Sequence, residues 1–167
     1  LSLGCAVSVA QDAEWRILEP AAAPKAYAVA AREFQKLYEA VTGTHLEIVK
    51  EPSADTNLIV IGSDSVNRFC RTAVERSIIP PLMLGADTDA YCIRSAAEGG
   101  QRYLFLAGGN GRATLYAVYD FFERQAGCRY FWDGDIIPKC KAIEMGGLDV
   151  HESPRFAYRG IRYFAHR

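Results

Sequence analysis

The sequence predicts an α+β fold, a mixed β-sheet with helices packed on it in two layers. Three observations carry this expectation. Helical and extended patterns alternate along the chain. Two pairs of neighbouring strand segments are joined by stretches too short for a crossover helix, which argues against an all-parallel sheet. The chain has 167 residues, half of them hydrophobic and 23% charged, which suits one globular domain with one core.

Trp15, Ile17 and Leu18, ahead of Pro20, read as an edge strand running into a turn. From Ala26 to Val41 the apolar residues Tyr27, Ala30, Phe34, Leu37, Tyr38 and Val41 recur at threes and fours, so a helix follows, with Gly43 placed to end it. Leu46 with Ile48, and then Leu58 to Ile61, read as two strands separated by a polar turn at Glu51 to Thr56, the second buried on both faces. Ser63-Asp64 can cap a helix running through Arg76, and Pro80-Pro81 keep any helix from continuing.

Residues Asp89 to Ser95 and Tyr103 to Leu106, around a turn at Ala96 to Gly100, predict an antiparallel hairpin. Gly108-Gly109-Asn110-Gly111 leads into a helix over 112–125 with Leu115, Val118, Tyr119 and Phe122 on its core face, ended by Gly127. Cys128 to Trp132 reads as a short aromatic strand. Asp133-Gly134-Asp135, Pro138, Gly146-Gly147 and Pro154 then break the pattern into a tail or linker, and Phe156 to Phe164 looks like the start of another strand.

A formal net charge of −1 without a run of Lys or Arg offers no footprint for a phosphate backbone or an anionic surface, so nucleic acid is not an expected partner. No stretch reaches the apolar length of a membrane span. Leu1 to Ala10 carry no charge, and Gln11, Asp12 and Glu14 follow at once; Ser8-Val9-Ala10 puts small residues where a signal peptidase reads, for cleavage before Gln11. Lipid attachment at Cys5 and a short buried first strand are the other two readings of this stretch. Export predicts a secreted or periplasmic protein of bacterial type, possible surface anchoring included.

Without Cys5, four of the five cysteines remain, and Cys128 and Cys140 flank a loop as the pair best placed for a bridge. Cys70 and Cys92 read as buried thiols. No Cys-x-x-Cys pair exists, and His45, His151 and His166 form no His-Glu-x-x-His helix, so neither a metal nor another cofactor is expected.

The glycine loop at 108–111 can be weighed as a phosphate cradle, since a helix N-terminus offers free backbone N–H groups. Thr114 stands where a dinucleotide fingerprint needs a small residue, and no phosphate-loop lysine is present; a structural turn, with glycine serving positive φ, is the stronger reading. Asp133 and Asp135 are two carboxylates near Trp132, but one tight turn seldom sets two acids across a glycosidic bond. Tyr130, Phe131 and Trp132 either stack on a sugar ring or bury against the sheet, burial being favoured by residue type.

The run Gly111-Arg112-Ala113-Thr114-Leu115-Tyr116-Ala117-Val118-Tyr119-Asp120-Phe121-Phe122-Glu123, then Gly127-Cys128-Arg129-Tyr130-Phe131-Trp132, Ile137-Pro138, and Glu152-Ser153-Pro154-Arg155-Phe156-Ala157-Tyr158-Arg159-Gly160, resembles the non-catalytic domain that precedes the barrel in several glycoside hydrolases. The α-glucuronidases, α-N-acetylglucosaminidases and β-N-acetylhexosaminidases are the groups it is most similar to. The resemblance implies a fold like the second domain of hexosaminidases, with a following (β/α)8 barrel that carries the catalytic residues at its strand ends. With residues 1–10 read from their pattern as the remnant of a signal, it implies that 11–150 are the accessory domain and 151–167 a linker with the first barrel strand. It implies carbohydrate as the substrate, held through the adjoining domain, with Arg159 reaching sugar hydroxyls and His166 a weaker neighbour. A strand or interdomain role for Arg159 stays open beside this. The lack of an aspartate in Ile161-Arg162-Tyr163-Phe164 departs from the hexosaminidase pattern and weighs against amino-sugar specificity. A self-contained carbohydrate-binding module using Tyr130 and Trp132 is the alternative.

Overall fold

A computed structural model describes residues 14–20, 24–53, 55–82 and 89–155. The described residues form six strands and three helices: β1 (Trp15–Leu18), α1 (Lys25–Thr42), β2 (Ile48–Val49), β3 (Asn57–Gly62), α2 (Arg68–Glu75), β4 (Tyr91–Glu98), β5 (Gln101–Gly108), α3 (Gly111–Ala126) and β6 (Asp149–Glu152). All the strands join one sheet in the order β2-β1-β3-β5-β4-β6. β1 runs parallel to β2 and β3, and β3 parallel to β5, whereas β4 is antiparallel to both β5 and β6. This is the mixed α+β sheet that the short connections predict.

Successive side chains on a strand point to opposite faces, so each strand divides its apolar residues between two cores. Ile17, Ile59, Ile61, Ile93, Leu104 and Leu106 face α1 and α3, where Phe34 packs between Phe121 and Phe122 with ring centroids 5.4 and 5.0 Å away. Leu18, Leu58, Val60, Cys92, Phe105 and Ala107 face the other way, toward Cys70 and Ala73 of α2 and Ile79 and Leu82 beyond it. Burial on both faces is why Leu58–Ile61 and Leu104–Ala107 read as unbroken apolar runs rather than alternating ones.

Several local expectations shift. β1 is an interior strand, not an edge: the two-residue β2 pairs with it on one side and β3, the next strand in the chain, on the other. The α2 cap is Asn67, whose Oδ1 accepts from Phe69 N at 2.9 Å, rather than Ser63-Asp64; the Ser63 carbonyl instead closes a turn by accepting from Asn67 N at 2.9 Å. The hairpin turn is tighter than the sequence suggests, with β4 and β5 running up to Gly99 and Gly100 at φ +59° and +85°. This doubly left-handed pair matches the twist of the strands, and glycine supplies it without a Cβ penalty.

On α3 the buried face is Ala113, Thr114, Ala117, Val118, Phe121 and Phe122, a rotation away from Leu115 and Tyr119, which are half-buried. No aromatic strand forms over 128–132; a single antiparallel bridge between Arg129 and Ile136 closes a loop instead. The stretch after it belongs to the fold. Cys140 N donates to Val41 O at the end of α1 (3.0 Å), Ile143 and Met145 enter the α1/α3 core, and Ser95 Oγ donates to Met145 O (2.6 Å) just before β6 pairs with β4. Cys70, Cys92, Cys128 and Cys140 are all free thiols, so the pairing expected of Cys128 with Cys140 does not form.

Candidate functional site

In an open sheet with parallel strands, ligands favour the crevice at the carboxyl ends of those strands, where helices begin. Between β3 and β5 that crevice is filled, while a cavity of about 310 Å³ stays open at the ends of β1 and β2, lined by Glu19, Pro20, Lys50, Glu51, Asn67 and Phe69. The α1 and α3 N-termini touch so closely that a Cβ on Gly111 would lie 2.5 Å from the Ala26 Cβ, and one on Gly108 would lie 2.3 Å from Thr114 N. Thr114 Oγ1 donates to Gly62 O (3.0 Å), and Tyr27 Oη bonds Ser63 Oγ (3.2 Å), all within buried surroundings. The Asn110 side chain caps α3 by accepting from Ala113 N at 2.8 Å, occupying a donor that a phosphate would need. The glycine loop is therefore structural. Its reason differs from the one the sequence suggests, since Gly108 and Gly111 serve close packing rather than positive φ.

Beside this crevice, where β6 ends, Arg124 Nε reaches both oxygens of Asp120 at 2.8 Å and its Nη2 reaches Glu152 at 2.9 Å. Tyr91 Oη donates to Asp120 at 3.0 Å, and burial first, then the Asp120 charge, push its phenol well above the ordinary range. Arg112 pairs with Asp89 at 2.8 Å. Asp89, Tyr91, Tyr116, Glu152, Ser153 and Pro154 line a cavity of about 370 Å³ here. Its carboxylates are already held by arginines, an arrangement for fixing geometry rather than for moving protons.

The aromatic residues singled out in the sequence separate. Tyr130 is half-buried, edge-on against Tyr119 at 4.8 Å with its hydroxyl raised in pKa by burial. Phe131 and Trp132 point outward, at 51% and 98% exposure. Burial of Trp132 against the sheet, the expectation from residue type, is thus overturned: with the Arg129–Ile136 bridge closed and Gly134 N donating to Phe131 O at 3.3 Å, the ring sits at the loop tip. Asp133 and Asp135 lie on the same exposed tip. Arg159 and His166 lie outside the described residues, as do Leu1 to Ala10 with Cys5.

On the opposite face a groove of about 490 Å³ runs between α2 and the β4–β5 hairpin, lined by Phe69, Ala73, Ile78, Ala96, Tyr103 and Phe105 with the Arg76–Glu98 ion pair at its rim. The buried thiols beneath this face are not nucleophiles: burial raises Cys70 strongly and pushes Cys92 up to about 12. Among the described residues no group of three or more His, Cys, Asp or Glu could hold a metal ion, and no helix is long and apolar enough to cross a membrane.

Comparison with protein families decides what kind of domain this is. The family model for the glycosyl hydrolase family 67 N-terminus matches residues 5–121, from ahead of β1 into α3. The chain belongs to this family. A comparison with curated proteins finds no match. The family 67 N-terminal domain is the non-catalytic, hydrolase-associated domain that the resemblance implied, and its carbohydrate connection comes with the family. The matched stretch takes in the carboxyl ends of β1, β3 and β5 and stops before the aromatic loop of 128–136. Sequence reasoning missed the Tyr91–Asp120–Arg124–Glu152 network. Its one sequence signal is the i, i+4 spacing of Asp120 and Arg124, common on any exposed helix.

Proposed function

We propose that this domain is the accessory N-terminal part of an exported hydrolase of complex polysaccharide, and that it supports a (β/α)8 catalytic domain following it in the polypeptide. The observation that carries this reading is the family match, taken with a glycine loop after β5 that is closed by the packing of α1 against α3. A glycine loop spent on packing two helices together contributes stability more readily than chemistry. Export rests on the Ser8-Val9-Ala10 boundary before Gln11, with lipid attachment at Cys5 as its variant. Arg159 and His166 are assigned to sugar hydroxyls in the assembled enzyme.

The test expresses the 167-residue chain and the longer polypeptide side by side and assays both on uronic-acid and amino-sugar oligosaccharides. Hydrolysis by the longer protein alone is the expected result, and turnover by the 167-residue chain overturns the reading. In the longer protein Arg159→Ala is expected to raise KM about tenfold or more, the loss of one charge-assisted contact. The exposed Trp132 favours a second reading, a carbohydrate-binding module that grips its ligand at the loop tip. Tyr130 is committed to Tyr119, so Trp132 and Phe131 would be its stacking surfaces. Saturable binding of an oligosaccharide by the 167-residue chain, abolished by Trp132→Ala, would establish it.

A further inference from the structure

Four large hydrophobic side chains stand exposed among the described residues: Tyr116 at 39%, Phe131 at 51%, Trp132 at 98% and Ile136 at 56%. None lies on the α2 face. Tyr116 is on α3, one helical turn before Tyr119, and Tyr119 carries the loop of the other three through its edge-on contact with Tyr130. Tyr116 and, through the Tyr119–Tyr130 contact, the loop that bears the other three are thus both attached to α3. The loop that bears it is held in place: the Arg129–Ile136 bridge closes its base with two backbone hydrogen bonds of 3.0 and 2.8 Å, and Arg129 Nη1 donates to Cys128 O at 2.7 Å. A fully exposed tryptophan on a braced loop, with apolar neighbours, marks a surface meant to be covered.

The path of the chain says by what. β6 ends at Glu152, and Ser153 and Pro154 pass beside Tyr116 in the cavity that Tyr91 and Asp89 also line. Arg124 on α3 grips Glu152 at 2.9 Å, fixing the outgoing chain to that helix. The last described residues of the chain therefore lie beside Tyr116 and α3.

We propose that the outer side of α3, from Tyr116 to the Phe131–Trp132 tip, is the docking face for the hydrolase domain that follows in the same polypeptide. This rests on the accessory-domain reading above. The partner surface it fits is apolar at its centre, with a pocket for the Trp132 ring, and carries basic groups opposite Asp133 and Asp135. The tyrosine and tryptophan anchors supply most of the attraction, and the fixed exit at Glu152 removes most of the entropy cost of association.

Hydroxyl-radical footprinting read by mass spectrometry tests this on the 167-residue chain and on the longer polypeptide. Trp132, Phe131 and Tyr116 are expected to oxidise readily in the former and at least fivefold more slowly in the latter. Phe69 and Tyr103, in the groove on the α2 face, serve as controls and keep their rates. Trp132→Ala is expected to leave the thermal midpoint of the 167-residue chain in place and to lower that of the longer protein. Equal oxidation of Trp132 in both proteins overturns the docking face. So does protection of Trp132 in the 167-residue chain by added oligosaccharide, which would make the tip a glycan site, or protection that grows with its concentration, which would make it a self-association surface. Assaying the longer polypeptide on glycosides keeps the two proposals apart: unchanged oxidation in an active hydrolase sinks the docking face alone, whereas a longer polypeptide without hydrolase activity sinks the accessory-domain reading.

Discussion

A methyl group on Gly108 would meet two backbone atoms, Thr114 N at 2.3 Å and the Ala113 carbonyl carbon at 2.6 Å, and neither can swing aside as a side chain would. Gly108→Ala is therefore expected to cost about 3 kcal/mol, the upper range for overpacking, seen as a lower urea midpoint at unchanged slope. Tyr91 shows the opposite kind of constraint, set by charge. Burial and Asp120 hold its phenol above the ordinary value of 10.0, so the folded protein keeps a proton that the unfolded chain releases. That contribution to stability is present in full below about pH 10 and is lost as pH climbs from there toward the raised value. Tyr130, raised mainly by burial, adds in the same direction. Tyr91→Phe should lose about 1 kcal/mol at neutral pH through the missing bond to Asp120, yet show a shallower fall of thermal midpoint between pH 9 and about 11.

Among the elements, helix caps and turns are where small changes read most directly. Asn67→Ala removes both the cap to Phe69 N and the Nδ2 bond to Ile61 O at 3.1 Å, leaving a buried carbonyl without that donor; a cost of about 2 kcal/mol is expected, against about 1 kcal/mol for a cap that does nothing else. At the hairpin, Gly99 has φ +59° and nothing within 4 Å of an added Cβ, so Gly99→Asn should raise stability by about 0.5 kcal/mol through a stiffer unfolded chain. Calorimetry of the single variants checks both. The helices and central strands were legible because their periodicity is dictated by burial: α1 was readable nearly to its ends from Tyr27, Phe34 and Val41, and β3 from its unbroken apolar run. What the sequence concealed was set by distant partners. The interior place of β1 depends on a two-residue strand thirty residues on, and the rotation of α3 depends on α1, whose Phe34 draws Phe121 inward beside Phe122. The exposure of Trp132 was hidden for the same reason, since residue type argues for burial and only the Arg129–Ile136 closure turns the ring outward.

At the scale of the molecule, the kind of domain was readable from motifs at 111–160, although the family match spans 5–121 and shares only the run from Gly111 to Phe121 with them; the closure of α1 on α3 was not readable, because the approach of Ala26 to Gly111 joins residues far apart in sequence. The sheet is completed at one side by β6, paired to β4 from Tyr91–Glu152 to Arg94–Asp149. A chain ending at Leu148 should lose stability relative to one ending at Arg155 and should associate with rising concentration, since the outer edge of β4 is then open; light scattering and a denaturant titration of the two chains test this. The order of synthesis gives that edge a further meaning. The β4–β5 hairpin leaves the ribosome well ahead of β6, so each nascent copy carries an uncapped strand through the translation of α3 and the loops behind it, a few seconds at roughly 5–20 residues per second. Holdase chaperones would find their target in that interval rather than in the finished domain.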